Sequence, residues 1–293
     1  MPELPEVEIV IIGLKQLIIG KNIKKVTSDF AKSFPNDKFA VSKFMIGSDI
    51  VSIRRKGKVI LIDLSTGYSL MTHLRMTGQL VYVGLKNKRF GAGHPNGSLT
   101  AKLPDKSTRV DITFSDNAQL YFNDQRKFGR MNLLPTELVK YDSFIAKLGP
   151  EPLNNSFTPE VFSEQLRSKS GSTIKAALLD QSVLAGIGNI YADESLWLAK
   201  IHPSIKAGKL SRSRITALHG AIVKILKASI DAGGSTSKNY VNAKGEKGSY
   251  LTAANVYRRE GKPCRRCKTL IEKTRVAGRG THTCSTCQQI KNK

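Results

Sequence analysis

The sequence predicts a multidomain α+β protein: a β-rich first part, a helical middle and a small end segment braced by four cysteines. Three observations predict it. Apolar alternation dominates residues 49–134, helical spacing takes over from about residue 136, and all four cysteines lie in the last thirty residues. A chain of 293 residues has room for roughly two or three small domains.

The opening reads as a helix. Pro5 suits a first helical position, Glu6 and Glu8 suit the positive end of the helix dipole, and Gly20 is the expected stop after about Ile19. Asp49–Arg55, Lys58–Leu64 and Tyr68–Leu74 read as strands, with Ser65-Thr66-Gly67 as a turn. Arg109–Phe114 and Ala118–Asp124 flank Ser115-Asp116-Asn117 and read as a hairpin. Between these groups, residues 84–108 are rich in Gly, Lys, Pro and Ser and are expected to form a long, mobile, basic loop. Further on, Thr158-Pro159-Glu160 starts a helix, and Ile174–Leu184 and Asn189–Lys200 read as two more. Ser211 opens a long helix that ends at Gly233-Gly234, and residues 235–262 read as a linker.

Charge narrows the class of partner. Lys and Arg number 47 against 23 Asp and Glu, a formal charge of +24. That excess calls for a polyanion, and nucleic acid fits better than a membrane because no segment approaches the ~18 apolar residues of a span. The acidic opening does not match a secretion signal, so a soluble intracellular protein is expected.

The cysteines fall as Cys264-x-x-Cys267 and, sixteen residues later, Cys284-x-x-Cys287. Two such knuckles can converge on one tetrahedral Zn²⁺, and one structural zinc is the expectation. So short a segment cannot hold a core by itself, so the metal would supply its folding energy. Strands over Thr269–Arg275 and Thr281–Cys284 would place Arg279 at the tip of a hairpin, between two glycines, where it could enter a groove of DNA.

The first residues, Met-Pro-Glu-Leu-Pro-Glu, carry the most chemistry. With Met1 removed, Pro2 would be a secondary amine, able to attack a carbon and become an iminium directly. At pH 7 an α-amine is roughly a tenth neutral, whereas an ordinary lysine is neutral about four times in ten thousand. Glu3 and Glu6 stand close behind it. A second signal is Gly186-Ile187-Gly188 just before a helix, where backbone N–H groups and the helix dipole can receive a phosphate.

Together these residues resemble the bacterial formamidopyrimidine-DNA glycosylases, enzymes that excise oxidised purines. The resemblance spans nearly the whole chain. It rests on Pro-Glu-Leu-Pro-Glu-Val-Glu at 2–8, Arg-Arg-Lys-Gly-Lys at 54–58, His-Leu-Arg-Met-Thr-Gly at 73–78 and Asp-Gln-Arg-Lys-Phe-Gly at 124–129. Leu-Gly-Pro-Glu-Pro at 148–152, Gly-Ile-Gly-Asn-Ile-Tyr-Ala-Asp-Glu at 186–194 and the four-cysteine finger complete it. It implies an N-terminal catalytic β-sandwich with flanking helices over 1–135, and a helix–two-turns–helix module over 136–235. A lesion-loop linker and zinc finger would occupy 236–293. It also implies excision of 8-oxoguanine and formamidopyrimidines, then strand cleavage at the abasic site by β- and δ-elimination.

The resemblance assigns roles residue by residue. Pro2 would attack the sugar C1′, Glu3 would handle protons at the opening sugar, and Glu6 would support that site. Lys58 matches the lysine of β-elimination and Arg279 the arginine of the last elimination. His73, Asn189 and Tyr191 match phosphate contacts, and Glu194 matches a buried acid. Met76, Arg126 and Phe128 match the residues that fill the gap left by a flipped nucleotide. A monomer in the bacterial cytoplasm, bound to damaged or abasic double-stranded DNA, is implied.

Some positions depart from the family. Ile9-Val10-Ile11-Ile12 replaces Thr-Val-Arg-Arg, and the loop at 84–105 is longer than usual. Lys106-Ser107-Thr108-Arg109 replaces a Lys-His-x-His segment, leaving Arg109 as a candidate phosphate contact that cannot titrate near neutrality. Two other readings stand: an endonuclease VIII-like glycosylase of oxidised pyrimidines, and a non-catalytic zinc-finger DNA-binding protein. Leu4-Pro5 and the segment around 235–251 favour the purine enzyme over the first, and Pro2, Glu3 and Lys58 argue against the second.

Overall fold

The computed structural model describes residues 1–85, 88–94, 96–235 and 250–290. Contacts divide the chain into two compact units, Met1–Ala146 with Ala232–Ser249, and Lys147–Asp231 with Tyr250–Lys293. Most of the lesion-loop segment expected around 235–251 lies outside the described residues.

The first unit opens with helix α1 (Leu4–Ile18), capped at Glu3 and stopped before Gly20, whose φ of +80° suits glycine. Strand β1 (Ile23–Ser28) and a short helix α2 (Lys38–Phe44) follow. Next come β2 (Ile50–Lys56), β3 (Val59–Leu64), β4 (Tyr68–His73), β5 (Gly78–Val83), β6 (Arg89–Gly93), β7 (Thr108–Phe114), β8 (Gln119–Asp124) and β9 (Arg130–Pro135). They form two antiparallel sheets, in the orders β1-β7-β8-β5-β6 and β2-β3-β4-β9. Alternate residues of both sheets meet in one apolar core: Ile60, Ile62 and Leu70 from one, Leu80, Ile112 and Phe122 from the other. The apolar face of α1, including Val10 and the departing Ile9 and Ile11, joins that core, while Ile12 remains 45% exposed.

The loop expected at 84–108 is not a featureless one. It contains β6, whose Phe90 fills a notch at Gly13 of α1; a Cβ on Gly13 would lie 2.0 Å from Phe90 Cζ. The Arg89 guanidinium donates to the carbonyls of Leu99, Ser98 and Ala101 at 2.9, 3.1 and 2.7 Å. Leu99 packs with Val81 and Tyr121 on the outer face of the sheet. Buried anchoring, not composition, decides the order of this segment.

The second unit holds α3 (Pro159–Arg167), α4 (Ile174–Leu179), α5 (Asn189–Leu198), α6 (Arg212–Asp231) and a hairpin of β10 (Glu272–Val276) and β11 (Arg279–Thr283). Helix α4 ends five residues short of the expected Leu184: the Asp180 carboxylate accepts from Ser182 N–H and Oγ–H and turns the chain. No helix among the described residues is long and apolar enough to cross a membrane.

Candidate active site

In the first unit, acids gather at the start of α1. The Glu3 N–H donates to Glu6 Oε2 at 2.9 Å, and the Ser235 N–H donates to Glu6 Oε1 at 2.9 Å. Glu6 thereby ties the helix start to the chain leaving Gly234. A Cβ on Gly234, whose φ is +84°, would meet Ile9 Cδ1 at 3.0 Å, so this crossing requires glycine. Glu3 and Glu6 are 4% and 7% exposed, and Pro2 is buried behind an exposed Met1.

Lys58 follows Gly57 in the β2–β3 turn. Arg55 donates to Gly57 O at 3.0 Å and pairs with Glu8 of α1 at 2.7 Å, which holds this turn against the helix. Lys58 is 6% exposed, so it is not a solvated strand-end charge. Val59 pairs with His73 across β3 and β4. Burial first, then Arg75 and Lys58, push the His73 imidazole down to about 3. It is neutral at working pH. Its Nδ1 accepts the Arg75 N–H at 3.0 Å, which leaves the proton on Nε2 as a donor.

A cleft of about 830 Å³ is lined by Met1, Phe30, Lys32, Arg75, Met76, Arg126, Lys127, Phe128 and Arg130. Five of these nine are cations and none is an acid, which suits a phosphate backbone. Met76 and Phe128 are 38% and 52% exposed, so neither is a core residue. The Arg126 guanidinium lies 4.7 Å from the Phe128 ring centroid. Buried Asp124 shapes this segment by accepting the N–H of Arg126 at 3.2 Å and of Gly129 at 2.6 Å.

The Arg109 side chain turns inward. It is 5% exposed and spends its guanidinium on Asp29 Oδ2 at 3.0 Å, Asp124 O at 3.1 Å and Lys106 O. With these donors committed inward, the Arg109 side chain supports the fold of this unit.

In the second unit, Asn189 opens α5 after Gly188, which supplies no side-chain cap. Asn189 Nδ2 donates to Gly280 O at 3.0 Å. Tyr191 is fully buried, its hydroxyl 2.6 Å from Ser229 Oγ of α6, so its side chain faces the helix pair. Glu194 is fully buried and accepts the backbone N–H groups of Asn255, Val256 and Tyr257 at 2.8–3.0 Å. Arg279 is exposed, but it opens β11 opposite Val276, with Ala277-Gly278 forming the tip.

Sequence reasoning missed the device that holds this hairpin. Lys175 of α4 is fully buried and donates Nζ to Asp193 Oδ1, Thr281 Oγ1 and Gly280 O at 2.6, 2.8 and 3.0 Å. The other Asp193 oxygen accepts the His282 N–H at 3.0 Å. The only hint in sequence was an Ile-Lys at the start of a helix.

The four cysteine sulfurs lie within 4.8 Å of one another. Cys264–Cys287, Cys267–Cys284 and Cys267–Cys287 are 3.9, 3.3 and 3.5 Å apart. A tetrahedral zinc with ~2.3 Å bonds needs sulfurs roughly 3.8 Å apart, so the set fits. The Trp197 indole N–H and the Arg266 N–H point at Cys264 Sγ, both at 3.4 Å, and favour its thiolate. Cys264, Cys267, Cys284 and Cys287 hold one structural zinc.

Three family models match the chain: the formamidopyrimidine-DNA glycosylase N-terminal domain over 1–131, its H2TH domain over 148–241, and the zinc finger found in FPG and IleRS over 261–290. The formamidopyrimidine-DNA glycosylase of Halalkalibacterium halodurans is 41% identical over 291 residues, covering 99% of this chain and 100% of that one. A Lactococcus lactis FPG mutant solved with Fapy-dG containing DNA matches with a TM-score of 0.86 and 35% identity, over 99% of this chain and 100% of that one. A MutM complex with carbocyclic 8-oxo-G containing DNA matches at 0.84 and 36%, again over 99% and 100%. On its sheets, its helical module and its cysteine cluster alike, the chain belongs to the formamidopyrimidine-DNA glycosylase family.

Proposed function

We propose that this chain excises 8-oxoguanine and formamidopyrimidines from duplex DNA and then cuts the abasic strand, with Pro2 as its nucleophile. The observation that carries this reading is the start of α1: Pro2 buried behind Met1, Glu3 and Glu6 buried beside it, and Met1 in a cationic cleft with two exposed apolar side chains. Removal of Met1 turns Pro2 into the chain's amine and clears space in that cleft.

The Pro2 nitrogen bonds to C1′ as the bond from C1′ to the damaged base breaks; the base leaves with that electron pair and takes up a proton, and the Pro2 nitrogen gives up its own proton to water. Glu3 gives a proton to the sugar ring oxygen as the C1′–O4′ bond opens, leaving an iminium on Pro2. Loss of the C2′ proton expels the 3′ phosphate, with Lys58 serving that elimination, and a second elimination expels the 5′ phosphate, with Arg279 at that phosphate. Glu6 acts by position, holding the Glu3 backbone and Ser235. The neutral His73 Nε2–H and Asn189 serve as phosphate donors. Met76, Arg126 and Phe128 fill the stack when the nucleotide turns out, since a base cannot be reached inside the duplex.

The zinc supplies no chemistry to these steps; its cysteines hold the hairpin that carries Arg279. We assign catalysis to 1–135, DNA clamping to 136–235, and the lesion loop and finger to 236–293, in a monomer acting in the bacterial cytoplasm. A strand-cleavage assay on 8-oxoguanine duplex tests the reading. Pro2→Gly is expected to lose cleavage while still binding DNA; unchanged cleavage would overturn it.

A further inference from the structure

Three strand ends lie side by side at one end of the five-stranded sheet. Gly78 starts β5 and pairs with Asp124, the end of β8. Gly93 ends β6 opposite Gln79, and the next residue, His94, donates its N–H to Gly78 O at 3.0 Å. The first two strand ends open into the segments that carry Met76 and Arg126 with Phe128. The third opens at His94.

The route to this position is built into the packing. Helix α1 and β6 cross where Phe90 enters the Gly13 notch. Gly93 has φ +124°, and a Cβ there would meet Gly78 O at 2.5 Å, so this strand end is pressed onto β5. The fully buried Gln79 side chain donates to His94 O and to Asn96 Oδ1, the latter at 2.7 Å.

The His94 ring is half-buried, and the charges that reach it are the Met1 amine, one residue ahead of Pro2, and Asp124. Burial and then the amine hold its titration below that of an ordinary histidine, against Asp124. The ring is therefore neutral at neutral pH, with one nitrogen donating and one accepting. Five cations already line the cleft for phosphate. A neutral ring adds little there, but it suits the polar edge of a turned-out base.

We propose that His94 is a further substrate-contacting residue, hydrogen-bonding the damaged base beside the terminal amine and contributing to lesion choice. The proposal rests on the reading of Pro2 as nucleophile. A site built to hydrogen-bond its substrate loses rate when that bond is removed.

The test is single-turnover base excision from 8-oxoguanine duplex, with cleavage of a pre-formed abasic site measured in parallel. His94→Ala is expected to slow excision roughly tenfold, as for one lost hydrogen bond. Abasic cleavage and Tm should stay at wild-type values, because no base is present to contact. His94→Gln, which keeps a donor and an acceptor, should recover most of the rate. Wild-type excision by His94→Ala overturns the proposal, as does parallel loss of both activities with a lowered Tm, which would mark a structural residue. Borohydride trapping of the wild type on abasic DNA separates the premises. Trapping at Pro2 with unchanged excision by His94→Ala defeats only the His94 contact. No trapping at Pro2 defeats the nucleophile and the contact together.

Discussion

The sheet unit and the finger are stabilised in different currencies. In the first unit, α1 and two sheets close on one large apolar cluster, and buried acids sit at the edge of that core. Around the finger, the apolar cluster is five buried residues, Trp197, Val256, Cys264, Ile271 and Cys284, two of them metal ligands. Its order comes from zinc, from the Lys175–Asp193 pair and from Glu194, which gathers three consecutive backbone N–H groups. Where apolar area is scarce, buried charge and metal do the positioning. Where it is plentiful, a few buried charges can be kept for chemistry.

The largest expected effect breaks the finger alone. Chelation, or Cys264→Ser, removes a metal contribution that is on the order of 10 kcal/mol in isolated fingers. The hairpin should lose protection from proteolysis and DNA binding should weaken, while the sheet unit melts as before. A zinc-free chain with an intact hairpin and full cleavage would erase the contrast.

Next is Lys175→Ala, which leaves Asp193 buried without its cation. A loss of about 3–5 kcal/mol is expected, seen as a lower denaturation midpoint for the second unit. Lys175→Met should recover part of it only if Asp193→Leu is added, because the lone charge causes the damage.

Arg109→Ala should cost less, about 1–3 kcal/mol, since it frees two carbonyls and a mostly exposed Asp29. The cost should appear in the sheet unit, and the salt dependence of DNA binding should not change. A fall in that slope of about 0.9 would mean that Arg109 contacts a phosphate after all.

The smallest stability effect is at Phe128. A buried phenylalanine costs roughly 3–5 kcal/mol on truncation, but Phe128 is 52% exposed. Phe128→Ala should change stability by about 0.5 kcal/mol or less and yet slow excision of 8-oxoguanine from duplex. Cleavage at a pre-formed abasic site should be spared. Equal slowing of both would remove Phe128 from the gap.

These contrasts follow what was legible in the sequence. The strands of the first unit alternate or run apolar, and the cysteine spacing names its own ligand set. Strand β6 was not legible: Arg89-Phe90-Gly91-Ala92-Gly93 has one large apolar residue and two glycines, and its order depends on the notch at Gly13. Arg109 read as a surface cation because its partner Asp29 lies 80 residues away. Tyr191 was placed near phosphate by the resemblance, and its motif does not show that Ser229, 38 residues away, meets its hydroxyl. Arg279 fell one position past the tip because Ala277, at φ +50°, takes the left-handed turn ahead of Gly278. Local chemistry was readable; pairings set by distant residues were not.

The most direct test of the account locates its nucleophile. Abasic or 8-oxoguanine duplex is incubated with the Met1-processed chain in borohydride, and the reduced complex is digested and sequenced by mass spectrometry. The account predicts a sugar adduct on the amino-terminal peptide, at the Pro2 nitrogen. An adduct on Lys58, with Pro2 unmodified, would contradict it.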